Sequence, residues 1–77
     1  MEIEEFVQNF AAQFEDIDTA DFGPDTEFRN NDEWTSLTSL SIIAMADEVY
    51  NVTLTGDEIR SSKTIQDIYV IVKSKKN

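Results

Sequence analysis

The sequence predicts a small all-α domain, a helical bundle of three main helices plus one short helix, with a long loop between the first two. Three observations predict it. Apolar residues recur at helical spacing in three separate runs. Threonine-headed capping signatures stand just before the later elements. Gly23-Pro24 interrupts an acidic, aperiodic stretch that joins the first run to the second. At 77 residues the chain, 1–77, is one domain with a small core and modest stability.

Ile3, Phe6, Val7, Phe10, Phe14 and Ile17 follow the i, i+3/i+4, i+7 pattern of a first amphipathic helix. Glu4, Glu5, Gln8, Asn9, Gln13 and Glu15 fill its opposite face. From Asp18 to about Glu33 the periodicity fails, leaving a loop of a length that in compact domains belongs to functional or mobile segments. A second helix is expected from near Ser36 to about Tyr50, with the hydroxyls of Thr35 and Ser36 available as caps. Its expected core stripe is Ile42, Ile43, Ala46, Val49 and Tyr50. Leu37, Ala44 and Met45 lie away from that stripe and Leu40 on its border, so the helix is expected to expose apolar surface.

Asn51-Val52-Thr53-Leu54 reads as an extended link in which Leu54 plugs the core. Thr55-Gly56-Asp57-Glu58 has the capping-box order and opens a short helix through about Arg60. Thr64-Ile65-Gln66-Asp67 repeats that logic with Asp, and Ile65, Ile68, Tyr69 and Val72 form the stripe of a last helix. Lys73, Lys75 and Lys76 complement the dipole at its end.

The formal net charge is −10, and it is unevenly distributed. Residues 1–35 hold 11 of the 16 acids and a single base, Arg29. Residues 36–77 hold five of each sign and are neutral. Such a balance argues against nucleic acid, whose phosphates need Lys and Arg, and against anionic membrane surfaces. It favours partners with basic surfaces, drawn in by long-range attraction. The bland alternative is charge that serves only solubility. The N-terminus is acidic where a signal peptide is basic, and no window is long and apolar enough to span a bilayer. Without cysteines there is no disulfide framework, so a cytoplasmic location is expected.

Catalysis by the bare chain is not expected. It has no His and no Cys, no phosphate-binding glycine loop, no metal-ligand cluster, and no acid on an apolar stripe where burial raises a pKa. Asp16, Asp18 and Glu27 fall at positions 1, 3 and 12 of a calcium loop, but Ala20 and Asp21 stand where a ligand and the turn glycine belong. Ser36 is different. A helix start leaves N–H groups unpaired and carries partial positive charge, so a phosphoryl group esterified there is stabilised. The plain structural alternative is that Ser36 is an N-cap.

At this point the chain resembles the acyl carrier proteins. That family carries Asp-Ser-Leu at the start of its second helix, then an acidic amphipathic helix ending in Glu-Glu-aromatic. A short Ile or Leu link, a small third helix and a final helix opened by Thr-Val/Ile complete its pattern. The matching elements are Ser36-Leu37, Asp47-Glu48-Val49-Tyr50, Leu54, Thr55-Gly56-Asp57-Glu58-Ile59 and Thr64-Ile65, in order and without gaps. With the first helix and the loop, the resemblance covers nearly all of the chain. The Trp-x-Ser-Leu variant around Trp34 is similar to small stand-alone carriers.

The resemblance implies a non-catalytic carrier. A phosphopantetheinyl transferase transfers 4′-phosphopantetheine from coenzyme A to Ser36, and the arm's thiol holds acyl or aminoacyl groups as thioesters. Leu37, Leu40, Ala44, Met45 and Glu48 then face the transferase and acyl-processing enzymes with basic docking surfaces. A monomer is the default, and the family's cargo runs from fatty acyl and polyketide intermediates to aminoacyl and envelope acyl groups. Fatty acid biosynthesis and lipid metabolism are the setting the resemblance implies.

The departures are Thr35 in place of the usual Asp, and neutral Thr38, Ser39 and Ser41 where carboxylates are common, which point to a dedicated transferase or partner set. Ser39 is a second candidate because Thr38-Ser39-Leu40 echoes Thr35-Ser36-Leu37. Ser36 is preferred for its spacing to Tyr50. Trp34 reads as a packing anchor, a staple near the start of helix two, with contact to the arm as the functional alternative. The competing reading is an acidic helical binding protein of the immunity type that masks a basic partner through anchors such as Tyr50 or Tyr69. A third is an unmodified carrier-like subunit of a complex.

Overall fold

The computed structural model describes residues 2–15 and 21–76. They form four α-helices and one short 3-10 helix, and no strand is present among them. The order is α1 (Ile3–Ala11), the 3-10 helix (Phe28–Asn30), α2 (Ser36–Tyr50), α3 (Gly56–Ser61) and α4 (Ile65–Lys76). α1 packs against α4 and α2, and the short α3 bridges α2 and α4.

α1 is shorter than its apolar stripe. It ends at Ala11, and the amides of Gln13 and Phe14 then bond the carbonyls of Phe10 and Ala11, three residues back (3.1 and 3.0 Å). This tighter winding still buries Phe14 and turns its ring onto Phe22, with centroids 5.1 Å apart. Ile17, the last residue of the expected stripe, lies outside the described residues.

The segment expected as a long acidic loop is packed where it is described. Phe28 is 0% exposed, inside the core, and Phe22 packs against it. Two backbone bonds tie the same segment to the far end of the chain. Ile65 N–H donates to the Thr26 carbonyl (3.2 Å) and Gln66 N–H to the Pro24 carbonyl (2.9 Å). Two of the orphan donors that begin a helix are thus satisfied at α4 by the turn Gly23–Thr26. Arg29 adds a side-chain tie, donating to the Arg60 carbonyl (2.7 Å) and to that of Ser62.

α2 runs from Ser36 to Tyr50 as expected and ends on Asn51 in the left-handed conformation (φ 57°), whose N–H bonds the Asp47 carbonyl at 3.0 Å. Its buried side differs from the expected one at two positions. Met45 is 4% exposed and sits in the core, because neighbours on three helices widen the covered arc. Val49 is 50% exposed, because the Tyr50 ring takes the core position in the last turn. That ring lies 5.6 Å from Phe6, and its hydroxyl accepts from Asn9 Nδ2 at 2.9 Å. Burial raises the Tyr50 phenol above its ordinary value, so it stays protonated.

The link after α2 buries Val52 as well as Leu54. α3 opens with the expected capping box: Thr55 Oγ1 accepts from Glu58 N–H (3.1 Å) while Glu58 Oε1 accepts from Thr55 N–H (2.9 Å). Lys75, from the end of α4, donates to the same carboxylate oxygen at 2.7 Å and to the Thr53 carbonyl at 2.8 Å. Thr64 caps α4 through Asp67 N–H (3.2 Å), and Asp67 returns the bond from Lys63 and Thr64 N–H (2.9 and 3.0 Å). Lys76 closes the C-terminal end of α2 on the Tyr50 carbonyl.

Two outcomes follow from this packing. Phe28→Ala is expected to cost about 3 kcal/mol, a large share of a small domain's stability, whereas Val49→Ala costs under about 1 kcal/mol, both read by urea unfolding. The second concerns acid. The Lys75 ammonium, followed by the Thr55 backbone, holds the Glu58 carboxyl below its ordinary value. Its folded pKa lies below the unfolded one, so its contribution is present above the ordinary glutamate range and fades as pH falls through the lowered value. Glu58→Gln should therefore differ from wild type by about 1 kcal/mol at neutral pH and converge with it in acid.

Candidate functional site

The approach to α2 is held from several sides. Trp34 N–H bonds the Asn31 carbonyl (3.0 Å), and Glu33 N–H bonds Asn31 Oδ1 (2.8 Å). Across the chain, Glu33 Oε1 accepts from Glu15 N–H at 2.9 Å. Trp34 is the packing anchor the sequence suggests, but its ring partners come from α1, the turn after it and the 3-10 helix. Its ring stacks on Phe10 (6.4 Å, 4° between planes) and Phe14 (6.2 Å) and meets Phe28 edge-on at 4.7 Å. The indole is half-buried.

Thr35 is the N-cap. Its backbone is extended, its Oγ1 accepts from Thr38 N–H (3.3 Å), and its carbonyl takes the Ser39 N–H (3.0 Å). Thr38 Oγ1 donates back to the Glu33 carbonyl at 2.7 Å. Ser36 therefore occupies the first helical position and does not cap. It is exposed, and no described group hydrogen-bonds its hydroxyl. The N–H groups of Ser36 and Leu37 are among the orphan donors of the helix start, and the first turn of α2 contains no acid. Ser39 is partly buried a turn inside the helix with its N–H already spent.

Leu37 (75% exposed), Leu40 (60%), Ala44, Asp47 and Glu48 share the exposed side of α2 with Ser36. Met45, expected to face partners with them, does not, since it lies in the core. No family model, curated protein or solved structure matches this chain. The reading of the site rests on its own geometry.

A cleft of about 690 Å³ opens beside Ser36 between the first half of α2, α3 and the 3-10 helix. Trp34, Leu40, Ile43 and Ile59 give it apolar walls, and Arg29 and Arg60 stand at it. Leu40 thus belongs both to the exposed helix face and to the cleft. The sequence reading missed the two arginines, whose signal was present: they are the only arginines of a chain with net charge −10. Residues needed for the calcium-loop pattern, Asp16 and Asp18, lie outside the described residues, and no cluster of metal-ligating side chains exists among those described. No described helix is long and apolar enough to cross a membrane.

The division of labour between Thr35 and Ser36 can be measured. Thr35→Ala is expected to cost about 1 kcal/mol in thermal or urea unfolding. Ser36→Ala should fall within about 0.5 kcal/mol of wild type, because its hydroxyl holds nothing together.

Proposed function

We propose that this chain is an acyl carrier protein whose Ser36 bears a 4′-phosphopantetheine arm. The observation that carries the reading is an exposed serine with an unengaged hydroxyl at the first position of α2, beside a cleft large enough to receive what it bears. A serine placed there for structure would cap the helix, and Thr35 already does so.

The residues present fit the group. Ser36 Oγ attacks the β-phosphorus of coenzyme A, a P–O bond to the adenosine bisphosphate half breaks, and the hydroxyl proton leaves to a base. That base belongs to the transferase, since the chain has no imidazole and none of the described acids is fixed at the Ser36 hydroxyl. The orphan N–H groups of Ser36 and Leu37 and the positive end of α2 stabilise the phosphodiester. When attached, the arm supplies a thiol that holds acyl groups as thioesters, chemistry that a chain without cysteine lacks. Ser36 anchors, and the chain itself catalyses nothing.

The exposed side of α2 supplies the matching docking surface. Leu37, Leu40 and Ala44 offer small apolar contacts next to the serine, and Asp47 and Glu48 give a charged end for basic enzyme surfaces. The acid-free first turn fits a transferase that reads the Trp-Thr-Ser-Leu head through apolar contact more than charge.

Incubation with coenzyme A, magnesium and a broad-specificity phosphopantetheinyl transferase tests this. Intact mass should rise by one phosphopantetheine in wild type and in Ser39→Ala, and stay unchanged in Ser36→Ala. An unmodified mass with several transferases, including one from the source organism, removes the carrier reading and favours an acidic binding protein.

A further inference from the structure

The cleft beside Ser36 has an electrostatic character opposite to that of the chain. Of six basic residues, the two arginines come from separate elements, the 3-10 helix and α3, and converge on this one cleft. Three of the lysines are at the other end of α4, engaged with Tyr69, with Glu58 and with the Tyr50 carbonyl.

Neither guanidinium is fully neutralised. Arg29 spends its two terminal nitrogens on the carbonyls of Arg60 and Ser62, which are neutral acceptors, and makes no ion pair with any described carboxylate. Arg60 pairs with Asp57, but both side chains are largely exposed (72% and 87%), and such pairs are weak and readily exchanged. Gly56 leaves room for the Arg60 head to lie over the cleft. A Cβ there would stand 3.3 Å from its Nη1. Below the two charges the walls are Trp34, Ile43 and Ile59. The cleft thus combines apolar walls with two guanidinium groups, a lining suited to a short aliphatic stem with an anionic head.

Resting on the reading that Ser36 bears the arm, we propose that this cleft receives acyl cargo ending in a carboxylate, with Arg60 and Arg29 as its counter-charges. A guanidinium binds a carboxylate through two parallel N–H bonds, whereas an uncharged acyl end gains nothing from it and leaves the charge in water. Arg60 exchanges Asp57 for the cargo. Arg29, braced on α3, adds field without moving.

The test loads the chain from glutaryl-coenzyme A and, separately, from pentanoyl-coenzyme A, its near-isostere without the charge, using a broad-specificity transferase. Loading is read by mass, and occupancy of the cleft by two-dimensional NMR of the Arg29 and Arg60 Nε–H and Trp34 indole N–H signals. Trp34 is the only tryptophan, so its signal is unambiguous. The glutaryl form is expected to shift all three signals and the pentanoyl form the indole alone. In Arg60→Gln the glutaryl-induced indole shift should fall roughly twofold to fivefold, as for loss of one exposed ion pair. In Asp57→Asn, where Arg60 is released, it should grow. At about 1 M salt, with a screening length near 3 Å, the glutaryl and pentanoyl spectra should converge.

Equal spectra for the two cargoes at low salt overturn the inference and leave the carrier reading intact. So does an arm without cargo that moves the Arg60 signal as far as the glutaryl form does, since Arg60 then reads the arm's phosphate. Failure of both acyl groups to load removes the carrier reading and the inference with it.

Discussion

Rings in contact run from Tyr69 and Tyr50 through Phe6 and Phe10 to Phe28 and Trp34, with Phe14 and Phe22 as a side branch. Every aromatic residue of the chain belongs to this run. Phe6, Phe10, Phe14, Phe28 and Tyr50 are buried in the core, where rings of this size bring large apolar surface. The geometry of the run also decides where the site lies. Trp34 is the terminal ring and immediately precedes the cap of α2, so the position of Ser36 relative to α1 is set by the Phe28–Trp34 contact at 4.7 Å and the Phe10–Trp34 stack. The head of α2 is anchored by rings on one side and by the Asn31, Glu33 and Thr38 bonds on the other. A hydroxyl carried between them is held in place while taking no part in the holding.

The same run explains why an acidic segment is ordered at all. Residues 18–33 hold six of the 16 acids, yet this stretch contributes Phe28 to the core and the Pro24 and Thr26 carbonyls to the start of α4. Arg29 follows Phe28 directly, lies over its ring at 5.6 Å, and reaches the last carbonyls of α3. The three-residue 3-10 helix therefore joins the aromatic core to the end of α3, while the turn before it reaches α4. It also brings positive charge beside Ser36, where the rest of the segment is negative. The exposed acids of α2, by contrast, are near its far end, at Asp47 and Glu48.

What was legible in the sequence was whatever periodicity or a cap signature encodes. The bounds of α2, the capping box of α3 and the Thr64 cap of α4 all follow from local chemistry, and local chemistry was sufficient there. The end of α1 was not legible, because Phe14 keeps the helical phase while its backbone has already tightened to pack on Phe22. Met45 and Val49 were misplaced for a related reason: a single stripe cannot represent a helix covered by neighbours on three sides, nor one whose last turn is filled by Tyr50. The packing of the loop was not legible because its burial comes from two isolated rings, Phe22 and Phe28, with no repeat between them. Its bonds to Ile65 and Gln66 span some forty residues, and no local pattern records a partner that distant. At the site, Ser36, Leu37 and Leu40 could be read from spacing, whereas the cleft and its arginines exist only once three elements meet.

The decisive contrast is between two adjacent hydroxyls. Thr35 has the extended backbone, the accepted N–H and the hydroxyl contact to Thr38 that make a cap, and Ser36 has none of them. Because the cap is β-branched and restricted at χ1, its side chain stays committed to the helix. The serine is left exposed, with an idle oxygen and unpaired amides around it. The chain offers neither imidazole nor thiol beside it. Its physical properties are those of a rigid mount, with the fixed ring stack behind Ser36 and open, partly apolar space in front of it.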